Sequence, residues 1–121
     1  LEVVSTALFV KQGVGSLLSR CLMTAYQVLV DTEYPPEAVI LDLYVFGELA
    51  KSFQAMAEQG ISKQLELHSP TNQYGGMTRS ARLDMGLFVN HLKQVFDEIR
   101  TGAFVEECGR RRKSPGIRYS V

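Results

Sequence analysis

An all-α domain is the fold class this sequence predicts, and three observations carry it. The stretch from Val3 to Val30 holds no proline and is dominated by Ala, Leu, Val, Met, Gln and Tyr. Pro35 and Pro36 then stop one apolar stretch and open another. Nearer the far end, Leu87, Phe88, His91, Leu92, Val95, Phe96 and Ile99 recur at the three- and four-residue spacing of a helical face.

The first helix is expected over Val3 to Val30, with a bend at Gly13 and Gly15, where an interior glycine costs about 1 kcal/mol. Leu8, Phe9, Val10, Val14, Leu17, Leu18, Leu22 and Met23 point in nearly every direction around it, so it should be covered on more than one side. Pro35 disfavours helix at Tyr34, Pro36 suits the first turn of a second helix, and Glu37 favours the dipole at that end. The second helix is expected from Pro36 to Glu58, closed at Gly60 by a left-handed cap. It carries a wide apolar surface from Val39 to Met56.

From Ile61 to Arg82 the periodicity breaks, with Pro70, Gly75 and Gly76 as punctuation, and an irregular segment of this length is where ligand contacts are sought. A third long helix is expected from Asp84 to Thr101, capped by Gly102, followed by a short piece from Ala103 to Cys108. The basic stretch from Gly109 to Gly116 reads as a solvated tail, with a phosphate- or partner-binding arm as the alternative. The expected organisation is a single helical domain over 1–108 and a flexible basic tail over 109–121.

A chain of 121 residues suits one domain with a real core. Its 13 basic and 13 acidic residues cancel, which gives no electrostatic case for nucleic acid. Cys21 and Cys108 stand far apart with no histidine nearby, so neither a zinc site nor a disulfide is suggested, and a reducing, cytoplasmic setting fits. No apolar run reaches the roughly 18 to 20 residues of a membrane span, and no basic leader opens the sequence, so no membrane partner is expected. Phosphate loops, dinucleotide fingerprints, paired CxxC, HExxH and GxSxG are all missing from the 121 residues.

The candidates for chemistry are therefore polar residues in apolar surroundings. Lys11 lies in one of the most apolar stretches, and burying an ammonium is costly, so it should meet an acidic partner or a cavity. Asp42 and Glu48 punctuate the second helix; six residues turn through about 600°, leaving them about 120° apart around the axis. The bland reading of all three is a solvent-facing stripe. Tyr44 beside Asp42 and His68 beside Ser69 are candidates for ligand contact, whereas His91 reads as a packed or surface residue.

The segment from Ser69 to Arg82 resembles, without gaps, the SNTAEYGDLTRGPR segment of ketol-acid reductoisomerases, agreeing at Ser69, Thr71, Tyr74, Gly75, Thr78, Arg79 and Arg82. Upstream, Leu29 to Glu37 resembles the family's LVEAGYQPE, and downstream Glu98 to Phe104 resembles its EIQSGEF. The resemblance implies an all-helical domain like the knotted C-terminal domain of those enzymes, forming an intertwined homodimer whose helices complete each active site together. It also implies magnesium, held by the carboxylates of a DLFGEQ motif and of a later helix, polarising a substrate that NADPH then reduces.

The departure lies at that metal. The residues from Ala7 to Gln12 resemble DLFGEQ with Ala7 in the aspartate position and Lys11 in the glutamate position. On the later helix Asp42 falls at the first glutamate position and Phe46 at the second, unless a two-residue shift brings Glu48 there. Hard dications need several oxygen ligands, so the resemblance implies no metal and no cofactor here. Lys11, paired with Asp42 or Glu48, would supply the positive charge instead, and Ser69, matched to a serine that contacts substrate, would share the cavity. The expectation is a repurposed domain that binds or transforms a small molecule at a dimer-interface cavity, as a non-redox isomerase or cyclase. The alternatives are a non-catalytic dimeric interaction domain and the metal-binding domain of a split reductoisomerase.

Overall fold

The computed structural model of the chain describes residues 2–113, and every regular element among them is helical. Helix α1 (Glu2–Phe9) passes into a π-helical turn (Val10–Gly15) and on into α2 (Ser16–Asp31). Helix α3 (Pro36–Ile40) passes into a second π-helical turn (Leu41–Val45), followed by α4 (Glu48–Gln59), α5 (Ile61–Leu65), α6 (Pro70–Ser80), α7 (Met85–Arg100) and α8 (Ala103–Arg112). The described residues fall into two compact units, one of residues 2–19 with 84–113 and the other Arg20–Leu83.

The first unit packs α1 and its π-turn against α7. Gly13 makes this possible: a Cβ there would stand 3.0 Å from Leu92 Cδ2 and 3.3 Å from the Phe9 ring, tighter than ordinary van der Waals contact. Phe9 meets Phe96 edge to face, centroids 5.5 Å apart and planes at 84°, an arrangement the ring quadrupoles favour. Asp84 caps α7 by accepting from the Gly86 amide at 3.0 Å. Gly102, at φ 84°, turns the chain into α8, which packs on α7, the helix that carries the buried Ile99. Helix α8 continues through Arg112, so residues 109–112 of the stretch expected as a tail are helical; residues 114–121 lie outside the described residues. Its last turn collects Arg110, Arg111 and Arg112, cations that suit the negative end of the dipole.

In the second unit α2 ends where the prolines require. Tyr34 N–H donates to Leu29 O at 3.1 Å, Glu33 adopts φ 71°, and Pro35 becomes the N-cap of α3 with Pro36 in its first turn. The expected helix from Pro36 to Glu58 is not continuous. The amide of Phe46 donates to Leu41 O at 3.0 Å, five residues back, and Gly47 at φ 80° then breaks the path before α4 begins. Gly60 closes α4 where expected, but at φ 88° and ψ 163° it is extended with positive φ rather than the left-handed helical cap expected. The segment from Ile61 to Arg82 is mainly α5 and α6 rather than irregular: Ser69 caps α6, Pro70 occupies its first turn, and Gly75 and Gly76 lie inside it.

The continuous helix Ser5–Asp31, 27 residues long, is long and apolar enough to cross a membrane, with 6% of its most apolar window buried. That corrects the expectation of no membrane-length segment, which counted only uninterrupted apolar runs; Lys11 and Arg20 interrupt this one without ending the helix.

Candidate functional site

The candidates divide between the units. Lys11 belongs to the first; Asp42, Tyr44, Glu48, His68 and Ser69 belong to the second.

Lys11 occupies the first π-turn, a widened helical turn of the kind frequently found at functional sites. The Ser16 hydroxyl, shared between the two, bonds Gln12 O and Gly13 O, the latter also accepting from the Ser16 amide. The lysine is exposed rather than buried, and it lines a shallow groove of about 530 Å³ with Thr6, Ala7 and Val10. Among the described residues no ion pair includes it. The groove thus presents one ammonium against the methyl of Ala7 and the half-exposed Val10. Both expectations for Lys11 assumed a buried ammonium; the structure instead leaves it exposed on an open groove.

Asp42 lies in the second π-turn and is exposed. Glu48 opens α4 on the far side of the Gly47 break, so the 120° separation expected of one continuous helix does not describe the pair. Its carboxylate meets Lys51, 3.3 Å away and one turn along α4, in an exposed pair of little energetic weight. Tyr44 lines a separate pocket of about 400 Å³ with Met23, Tyr26, Gln27 and Leu43, a mostly apolar wall with phenolic groups at its edge.

His68 and Ser69 lie at the start of α6 and divide the work there. The Ser69 hydroxyl accepts from the Asn72 amide at 3.3 Å, the bond of an N-cap. His68 lines a cavity of about 750 Å³ between α5 and α6, together with Ser62, Glu66, Asn72, Tyr74 and Met77; Ser69 does not line it. Gln73 ties the His68 backbone to α6, its Nε2 donating to His68 O at 2.7 Å. On its other side the imidazole meets Gln64, whose Nε2 lies 2.7 Å from His68 Nε2.

Gln64 escaped the sequence reading. It precedes His68 by one helical turn, a spacing that would have paired them had Ile61–Leu65 been recognised as helix. Among the described residues no group of three or more His, Cys, Asp or Glu side chains could hold a metal ion. At the Lys11 groove the reason is chemical: a methyl offers no lone pair, and a protonated ammonium repels a dication. Cys21 and Cys108 are free thiols.

Residues 4–118 match the family described as "Ketol-acid reductoisomerase, C-terminal domain". The chain is 34% identical over 108 residues to the ketol-acid reductoisomerase (NADP(+)) of Methanopyrus kandleri, covering 88% of this chain and 31% of that protein. It is 32% identical over 90 residues to the corresponding protein of Sulfurisphaera tokodaii, covering 74% of this chain and 26% of the relative. With that of Saccharopolyspora erythraea it shares 32% identity over 108 residues, 88% of this chain and 32% of the relative. The chain therefore spans about a third or less of the length of these relatives.

Proposed function

The chain belongs to the family of ketol-acid reductoisomerase C-terminal domains, and on that premise we propose that it binds or transforms a small molecule without magnesium and without hydride transfer from a nicotinamide. The observation that carries this reading is Lys11, exposed on an apolar groove with Ala7 beside it. A single ammonium against low-polarity walls attracts a carboxylate, or an enolate oxygen as it develops, more strongly than the same charge in open water. A rearrangement whose substrate and product contain the same atoms needs no redox partner, so isomerisation or cyclisation is the reaction class that suits such a groove.

The site is proposed to be completed by a second copy of the chain in a cytoplasmic homodimer, with the intertwined, knotted path of the family. Support comes from apolar side chains left open to water within the second unit: Ile61 is 67% exposed, Leu67 62%, Tyr74 64% and Met77 69%. Large apolar side chains this exposed are candidates for a face that a partner covers, and each contributes about 1.5–3 kcal/mol once fully buried.

A second reading, a non-catalytic dimeric interaction domain, is favoured by two details. The Ser69 hydroxyl is used as a helix cap, and the Glu48 carboxylate is used in an ion pair with Lys51. The third, one chain of a split reductoisomerase, requires magnesium and is opposed by Ala7 and Lys11.

Thermal stability measured in EDTA against small carboxylic acids such as lactate and pyruvate tests the leading reading. Stabilisation of the wild type that disappears in Lys11→Met supports it. No stabilisation of a folded dimer by any acid in the series favours the interaction domain.

A further inference from the structure

Gln64 is the buried polar residue of the second unit, 3% exposed, and it touches the imidazole of His68, which lines the α5–α6 cavity. Its Nε2 stands 2.7 Å from His68 Nε2, while its Oε1 is buried with no hydrogen-bond partner among the described residues. We propose that Gln64 is a positioning residue: its buried amide donates to His68 Nε2, holds the ring in the Nδ1–H tautomer, and so leaves His68 one N–H donor for a neutral carbonyl oxygen in the cavity.

At 2.7 Å only one of the facing nitrogens can carry a hydrogen along the line between them. With the amide NH2 toward the ring, the imidazole must accept, and its proton sits on Nδ1. Rotating the amide by half a turn would put Oε1 on the ring, which would then donate from Nε2, and would bury the NH2 group where Oε1 now stands. The orientation in the structure leaves a carbonyl oxygen without a donor among the described residues, an under-satisfaction that buried carbonyls tolerate better than N–H groups do.

A neutral imidazole in water prefers the other tautomer, with its proton on Nε2, so the buried amide reverses the ring's own preference. The backbone bond from Gln73 to His68 O limits the ring's freedom to move away from Gln64. Because Nε2 is engaged, Nδ1 is the nitrogen left to meet a ligand. Glu66 lines the same cavity, and its carboxylate opposes an anionic guest, which favours a ketone or amide oxygen over a carboxylate. The ligand half of this proposal rests on reading the α5–α6 cavity as a binding site; the tautomer half does not.

Side-chain nitrogen NMR of the 15N-labelled full chain at pH 8 separates the two halves, with His91 as the internal reference. The wild type is expected to show His68 protonated on Nδ1, and Gln64→Met to show the proton returned to Nε2. A wild-type His68 protonated on Nε2, or an unchanged tautomer in Gln64→Met, overturns the positioning role. If Gln64→Met does not fold, the wild-type spectrum alone decides. Titration with acetamide is expected to shift His68 Nδ1 saturably, while acetate at the same concentrations does not. A response to neither probe, or to acetate instead, overturns the ligand half and leaves the tautomer assignment standing or falling on its own spectrum.

Discussion

Replacing Gly13 by leucine should destabilise the first unit by about 2–3 kcal/mol, the cost of forcing a large side chain into a packed contact. The first atom added, Cβ, already stands 3.0 Å from Leu92 Cδ2 and 3.3 Å from the Phe9 ring, where ordinary contacts begin near 3.5 Å. Further carbons would have to displace Phe9 from its edge contact with Phe96, losing about 0.5–1.5 kcal/mol of geometry-specific attraction as well. Gly13→Ala is the control. Its methyl asks Leu92 to move by only part of an ångström, and alanine recovers about 1 kcal/mol of helix propensity, so the two effects nearly cancel. Thermal unfolding followed by circular dichroism, at one fixed protein concentration, reads the difference. Gly13→Leu is expected to lower Tm by about 8–12 °C, at roughly 4 °C per kcal/mol for a chain of this size, and Gly13→Ala by less than about 4 °C. A leucine variant as stable as the wild type would show that the π-turn and α7 do not approach at this point.

Three further outcomes follow from the geometry. Ser69→Ala should cost about 1 kcal/mol through the lost N-cap of α6, measured by denaturant unfolding, while Ser69→Asp, which keeps a capping acceptor, should restore most of it. Gly47→Ala should cost about 1 kcal/mol because φ 80° is unfavourable for a residue with a Cβ, although nothing lies within 4 Å of that position; Gly47→Asn should cost less. On the proposed homodimer, Met77→Asp, at a side chain 69% exposed in the isolated chain, should shift the molar mass measured by light scattering toward monomer while retaining helical circular dichroism.

The parts of this fold that were legible are those written in backbone chemistry. Pro35 and Pro36 marked the end of α2 and the start of α3, and Gly60 and Gly102 marked turns that do have positive φ. Gly13 and Gly15 pointed to an irregularity in the first helix, and the structure makes it a π-turn. What stayed hidden depended on register or tertiary packing. A helix that is apolar on many faces gives the same pattern whether a turn closes over four residues or five, so neither π-turn could be seen. Gly47 sits in a continuous apolar pattern where a glycine costs little, and its left-handed break is visible only in the coordinates. Ser69 followed by Pro70 was a readable helix start, outweighed in the reading by Gly75 and Gly76, which α6 carries in its interior. Lys11 was singled out for its apolar neighbours, and the groove confirms the neighbours but not the burial. Gln64 needed the helix α5 before its pairing with His68 could be argued.

The proposal that Ala7 and Lys11 leave no magnesium site is tested most directly by a calorimetric titration of the purified chain with magnesium chloride. The account expects no saturable binding up to millimolar magnesium in the wild type, and the appearance of binding in the double variant Ala7→Asp with Lys11→Glu. Saturable binding by the wild type that is lost in Asp42→Asn would contradict the account and return the chain to magnesium chemistry.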